Sequence, residues 1–173
     1  LAVFNFHIQR YLDFTAFAVT LIFIYIMTLH PTNDYTISTE VQKMDVEAIY
    51  AYLARSYWAE GRTKSTVEKS IRNSLNFGVF APEGAQVGFA RVITDYATFA
   101  YLADVYILEE HRGHGLSKWL METIMAHPEL QGLRRWSLAT RDAHGLYAQF
   151  GFTPLPKPEI WMQIFNQDAN PQK

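Results

Sequence analysis

Between Tyr101 and His127 the chain reads YLADVYILEEHRGHGLSKWLMETIMAH, and the order of patterns in this stretch leaves few ways for the surrounding sequence to fold. Leu102, Val105 and Ile107 form an apolar, β-branched run of the kind buried in a sheet; two acids follow, and Arg112-Gly113-His114-Gly115 breaks the pattern. Leu116, Trp119, Leu120, Thr123, Ile124 and His127 then recur at spacings of three and four, which predicts a helix starting near Gly115 with one buried face. A strand, a glycine turn and a helix N-terminus in succession make a site for anions. The first turn of such a helix carries unpaired N–H groups and the positive end of the dipole, and Gly113 and Gly115 let an anion approach the backbone without a Cβ in the way. Arg112 and Lys118 stand beside the turn as further charge for phosphate oxygens.

The phosphate-binding patterns GxxxxGK[ST] and GxGxxG are both missing here. The segment Arg112-Gly113-His114-Gly115-Leu116-Ser117 instead resembles the [QR]-x-x-G-x-[GA] acetyl-coenzyme A motif of the GCN5-related N-acetyltransferases (GNAT), with Ser117 where that family has Gly or Ala. Ser is the next smallest side chain, so a weakened fit is expected rather than lost binding. A second resemblance lies downstream. Ala143, Leu146, Tyr147, Gly151 and Phe152 match the family's A-x-x-L-Y-x-x-x-G-F segment, while Thr140 stands where the family has Asn. A hydroxyl can replace one of the amide's hydrogen bonds but not two.

The resemblance implies a mixed, mostly antiparallel central sheet of about six or seven strands flanked by helices, an α/β fold of the α+β type. It also implies an acetyl-CoA co-substrate whose pantetheine arm lies along a splayed strand, against the backbone of Val105, Tyr106 and Ile107. The pyrophosphate would rest on the amides from Gly113 through His114, Gly115 and Leu116 to Ser117, with Arg112 and Thr140 completing the coenzyme site. Tyr147 matches the family's general acid, donating its phenolic proton to the departing sulfur. Asp104 is the first candidate for the base, with substrate-amine binding or loop capping as equal alternatives, and His144 and Glu110 stand in reserve. Backbone N–H near Val105 is placed to polarise the thioester carbonyl. The expected reaction is acetyl transfer to a primary amine by direct attack in a ternary complex. The alternative from a different class is a non-catalytic acyl-CoA sensor or interaction module of the same fold.

The remaining sequence is consistent with one such domain. From Tyr35 onward a short strand, Tyr35 to Thr39, precedes a helix capped by Asp45; a second short helix follows, with Ser65 and Glu68 read as its capping box. Tyr57 and Trp58, between the two helices, are read as core residues on the general tendency of aromatics to bury. Strands at Phe77–Phe80, Gln86–Ile93 and Thr98–Leu108 should form an antiparallel meander. Arg134–Thr140 should lie parallel to the last of these through a right-handed crossover, and a final strand should begin at Phe152.

A net charge of −2 offers nucleic acid no basic face, and the absence of cysteine removes disulfides, thiolate ligands and a thiol nucleophile. His111 and His114 flank the turn without a third ligand at fitting spacing, so no metal is expected. The acceptor is read as a small-molecule or peptide amine, with Arg62, Arg91, Asp95 and Asp104 as charged candidates near the mouth of the site, and a homodimer as one possible assembly. Residues 1–34 differ from the rest. Phe14 to Leu29 is a nearly uncharged apolar run, shorter than the ~20 residues a spanning helix needs, and Met27 falls within it. We read residues 1–34 as an over-extended start, with a membrane anchor or a signal-peptide core as alternatives, and residues 35–173 as the acetyltransferase-like domain. Cytoplasmic residence is the corresponding expectation, with attachment to the cytoplasmic side of a membrane as the variant.

Overall fold

The computed structural model describes residues 34–166 and Ala169; the apolar run Phe14 to Leu29 and Met27 lie outside the described residues. Five strands, β1 (Thr36–Ser38), β2 (Leu75–Phe80), β3 (Gln86–Thr94), β4 (Phe99–Ile107) and β5 (Arg135–Ser137), form one sheet in sequential order. The first four pair antiparallel, and β5 joins β4 in parallel. The helices are α1 (Val46–Leu53), α2 (Lys64–Arg72), α3 (Leu116–Ala126) and α4 (His144–Ala148). Among the described residues no helix is long and apolar enough to cross a membrane.

Each face of the sheet carries its own core. Phe77, Val79, Val92, Ala100 and Leu102 pack against Leu116, Leu120, Met121 and Ile124 of α3. On the opposite face Phe89 and Tyr106 pack with Ile49 and Leu53 of α1 and Val67 and Ile71 of α2. Full burial of Leu120, Met121 and Ile124 bears out the helical spacing read from the sequence, at roughly 1.5–3 kcal/mol of hydrophobic gain per large side chain. Asp45 caps α1 as expected, its carboxylate accepting from the Ala48 N–H at 3.0 Å.

Three expectations are corrected. The cap of α2 is Thr63, whose hydroxyl accepts from the Thr66 N–H, so the helix starts ahead of the Ser65–Glu68 box. Glu68 reaches forward to Arg72 instead, one helical turn on. The predicted strand at Phe152 is absent: Pro154, Pro156 and Pro158 remove every second N–H donor there, and the chain runs irregularly into a 3-10 turn at Pro158–Ile160. With that strand gone the described sheet has five strands rather than six or seven. Tyr57 and Trp58 are not core residues; they are 43% and 36% exposed, on the turn between α1 and α2.

Candidate active site

The site is built around two irregularities in β4. The first is a bulge. Phe89 pairs with Tyr106 and Arg91 with Ala103, so one residue of β3 faces two of β4, and Asp104 and Val105 have no register partner. Asp104 takes φ +54°, a left-handed conformation uncommon outside glycine. The consequence is a change of face. Leu102 and Asp104 are two residues apart and would share a face in a regular strand, yet Leu102 lies in the α3 core while Asp104 turns to the α1–α2 side.

The second irregularity is a split. β4 and β5 pair through Phe99↔Arg135, Ala100↔Trp136 and Tyr101↔Ser137, and pairing stops there. From Leu102 to Ile107 the β4 edge facing β5 carries no strand partner. The same divergence shortens β5 from the Arg134–Thr140 span expected of it. At the last rung the Ser137 hydroxyl is buried with no hydrogen-bond partner among the described residues, a polar atom awaiting one.

The glycine turn follows the split directly. Gly113 and Gly115 take φ +83° and +77°, and neither donates its N–H to a backbone carbonyl among the described residues. No side chain caps α3, whose first helical bond is Trp119 N–H to Gly115 O, so the N–H groups of Leu116 and Ser117 lie ahead of the ladder. A Cβ built on Gly113 meets nothing within 4 Å, leaving open space in front of these donors. Arg112 folds back along the strand with its side chain still half exposed: its guanidinium donates to Ile107 O at 3.1 Å, the Tyr52 hydroxyl at 3.2 Å and Glu109 at 3.1 Å. His111 is tied to the Tyr35 hydroxyl at 2.8 Å, and the His114 ring lies 6.3 Å from the Tyr35 ring. No group of three or more His, Asp or Glu able to hold a metal occurs among the described residues.

Across the split, Thr140 Oγ1 accepts from the Ala143 N–H at 3.0 Å, in the turn just ahead of α4, leaving its own O–H to donate. Tyr147 on that helix is 8% exposed, edge-on to Phe152. Burial, with neighbouring Tyr57 and Asp142 adding to it, pushes its phenol up to about 12. The group therefore holds its proton at neutral pH. His144 and Glu110 are exposed.

Asp104 is engaged from two directions. Its buried carboxylate accepts from Arg91 Nε at 2.6 Å and from Arg62 Nη1 at 2.9 and 3.1 Å. Arg91 comes from β3, on the face of Phe89; Arg62 comes from the turn between α1 and α2. That turn also reaches the other side of the split: the Tyr57 hydroxyl accepts from the Arg141 N–H at 3.1 Å, and the Arg141 guanidinium lies 3.8 Å over the Tyr57 ring. The sequence named these charges without showing that three of them form one cluster. The positive φ at Asp104 is the part no sequence signal reveals.

Comparison with known proteins points to one family. Residues 73–154 match the family described as the acetyltransferase (GNAT) domain. A candidate acetyltransferase of Gibberella zeae is 34% identical over 139 residues, covering 68% of this chain and 77% of that protein. The crystal structure of a candidate GNAT-family acetyltransferase from Xanthomonas campestris pv. campestris shares 50% identity and superposes with a TM-score of 0.77, over 80% of this chain and 97% of its own. A candidate acetyltransferase of Clostridium acetobutylicum, solved with acetyl-CoA, shares the fold at 12% identity and a TM-score of 0.57, over 76% of this chain and 94% of its own.

Proposed function

The chain belongs to the GNAT acetyltransferase family, and from that premise we infer that it transfers the acetyl group of acetyl-CoA to a primary amine by direct attack in a ternary complex. The observation that carries the reading is the split beyond Tyr101 and Ser137, which opens an unpaired strand edge leading into the uncapped start of α3.

The residues present fit the co-substrate. The unpaired edge of β4 presents the backbone groups of Val105 and Ile107, those of Tyr106 facing β3, for pantetheine amides, as an added strand would use them. The orphaned Ser137 hydroxyl offers one further polar contact within the split. The N–H groups from Gly113 to Ser117 suit a pyrophosphate, and Gly113 leaves it room. Arg112 supports this turn from behind through Ile107 O rather than reaching forward.

Acyl transfer then needs a nucleophile, a polarised carbonyl and a proton for the leaving sulfur. The bulge at Asp104 and Val105 is where a strand N–H leaves the ladder, which suits it to the developing oxyanion. The amine nitrogen forms its bond to the thioester carbon, the carbon–sulfur bond breaks, and the electron pair leaves on sulfur. The protonated Tyr147 phenol supplies that sulfur with a proton. The amine sheds its own proton to water, and the Tyr147 phenolate takes one back from water, which closes the balance. Asp104, whose carboxylate oxygens already accept from two guanidinium groups, suits the organisation of the acceptor side better than proton removal. With no cysteine in the sequence a thiol-borne acyl-enzyme has no carrier, so initial-velocity lines should intersect. The test is a screen of amines with acetyl-CoA that reads released thiol. Acetylated amine with intersecting lines supports the reading, and tight coenzyme binding without turnover on any amine overturns it in favour of a sensor.

A further inference from the structure

We propose that Arg62 recognises an anionic group on the acceptor, so that the amine this enzyme acetylates also carries a carboxylate. The inference rests on the acetyltransferase reading above and names the substrate class of that site.

The cluster of Arg62, Arg91 and Asp104 has two positive charges and one negative, and its burial is uneven. The Asp104 side chain is 1% exposed and the Arg91 side chain 10%, whereas the Arg62 side chain is 23% exposed and forms the solvent-facing end. Arg91 is held on both sides, by Asp104 at Nε and by the Ser74 hydroxyl at Nη1. Arg62 is different. Its bonds to Asp104 all run through Nη1, and among the described residues no acceptor meets its Nε and Nη2. Those two N–H groups form the edge of a guanidinium that matches the two oxygens of a carboxylate.

Position ties this free edge to the chemistry. Asp104 belongs to the β4 bulge, beside the unpaired strand edge, so the cation that caps it stands at the acceptor side of the split. The turn carrying Arg62 is fastened at its other end, where Tyr57 meets Arg141 on the far side. Asp104 fixes Arg62 without neutralising the cluster, and the low dielectric around a nearly buried pair makes the remaining positive charge felt more strongly than at an open surface. Glu60, in the same turn, is exposed and makes no ion pair within 4.0 Å among the described residues. An amine with no anionic group would meet the net positive charge of this cluster, which disfavours an ammonium ion beside Arg62; a neighbouring carboxylate reverses the sign of that interaction.

The experiment compares, in the wild-type protein with acetyl-CoA, α- and ω-amino acids with their amides. The amide of an α-amino acid is the less basic amine of its pair, so intrinsic protonation favours it and any preference for the acid comes from the protein. We expect kcat/KM to favour the acids by about tenfold or more, mostly through KM. Arg62→Gln should collapse that ratio while leaving coenzyme affinity unaltered; Arg91 still compensates Asp104 in this variant, so the fold is retained. Arg62→Lys, which keeps the charge and loses the fork, should fall between. Equal use of acids and amides by the wild type, or a preference that survives Arg62→Gln, overturns the proposal while leaving the acetyltransferase intact. If no amine is turned over, the acetyltransferase reading fails by itself. Calorimetric titration of the same acids and amides into the protein saturated with CoA then decides the anion site: acid-selective binding lost in Arg62→Gln supports it, and unselective or absent binding overturns it.

Discussion

Tyr101 and Ser137 form the last rung between β4 and β5, and beyond it the β4 edge that faced β5 carries no strand partner. If that opening receives the pantetheine arm, amides of Val105, Tyr106 and Ile107 that face it pass from solvent to a partner. Hydrogen exchange should therefore slow in this segment when CoA is added, while Ala100 and Tyr101, already paired on both sides, should change little. Unchanged exchange at Val105 to Ile107 with saturating CoA would place the arm elsewhere.

The glycine turn is open to a substitution that adds one methyl. Gly113 has φ +83°, so Ala there is strained by roughly 1–2 kcal/mol from the backbone alone. The added Cβ meets no protein atom within 4 Å, and if the turn holds pyrophosphate the methyl competes with it for that space. Gly113→Ala should therefore stay folded, with a slightly lower melting temperature, and bind CoA about tenfold or more weakly. Calorimetry with a folded variant of unchanged affinity would remove the turn from the phosphate site.

What the sequence made legible was what local pattern controls. The three-and-four spacing from Leu116 to Ile124 gave the buried face of α3, and alternation gave the meander, because a face against a core repeats with the period of its element. The left-handed glycines were legible because few other residues tolerate that backbone. The strand expected at Phe152 failed through alternating prolines that were in plain view but were outweighed by the aromatic start of the segment.

Non-local relations stayed hidden. Asp104 and Arg91 are 13 residues apart and Arg62 is 42 from Asp104; only the bulge, which turns Asp104 out of the face of Leu102, brings them together. Arg112 likewise looked like a phosphate ligand next to its motif. Its course back along the strand depends on Tyr52, stacked on Tyr106 with ring centroids 3.7 Å apart. Tyr57 stays exposed on the turn between α1 and α2 because its ring is met by Arg141, distant in sequence, rather than by the core.

The charge cluster carries a stability prediction. Asp104→Ala leaves two guanidinium groups close together without their shared carboxylate, and breaking a buried pair from one side typically costs about 3–5 kcal/mol. Exposure of Arg62 lets water screen part of that, so a loss near the lower figure is expected in urea unfolding. Asp104→Asn, which keeps an acceptor oxygen, should lose less. A large fall in kcat for the Asn variant at nearly intact stability, together with loss of the acidic limb of the pH profile, would instead make Asp104 the proton acceptor.

Tyr147 offers the sharpest distinction between catalysis and binding. Tyr147→Phe removes one hydroxyl and keeps the ring against Phe152, so coenzyme affinity should stay within a few-fold while kcat falls by ~10²-fold, the scale of losing a general acid. The sign of the pH effect follows from the raised phenol. A tyrosine whose folded value lies near 12, above the unfolded ~10, holds its proton more tightly when folded. It contributes stability below pH ~10 that is lost as pH rises toward 12. The wild type should therefore lose stability faster than Tyr147→Phe over that window, and its kcat should show no basic limb from this group below pH ~10. Full activity of the Phe variant on a good amine acceptor would show that the sulfur departs without this proton, and the buried phenol would then be a packing group of α4 alone.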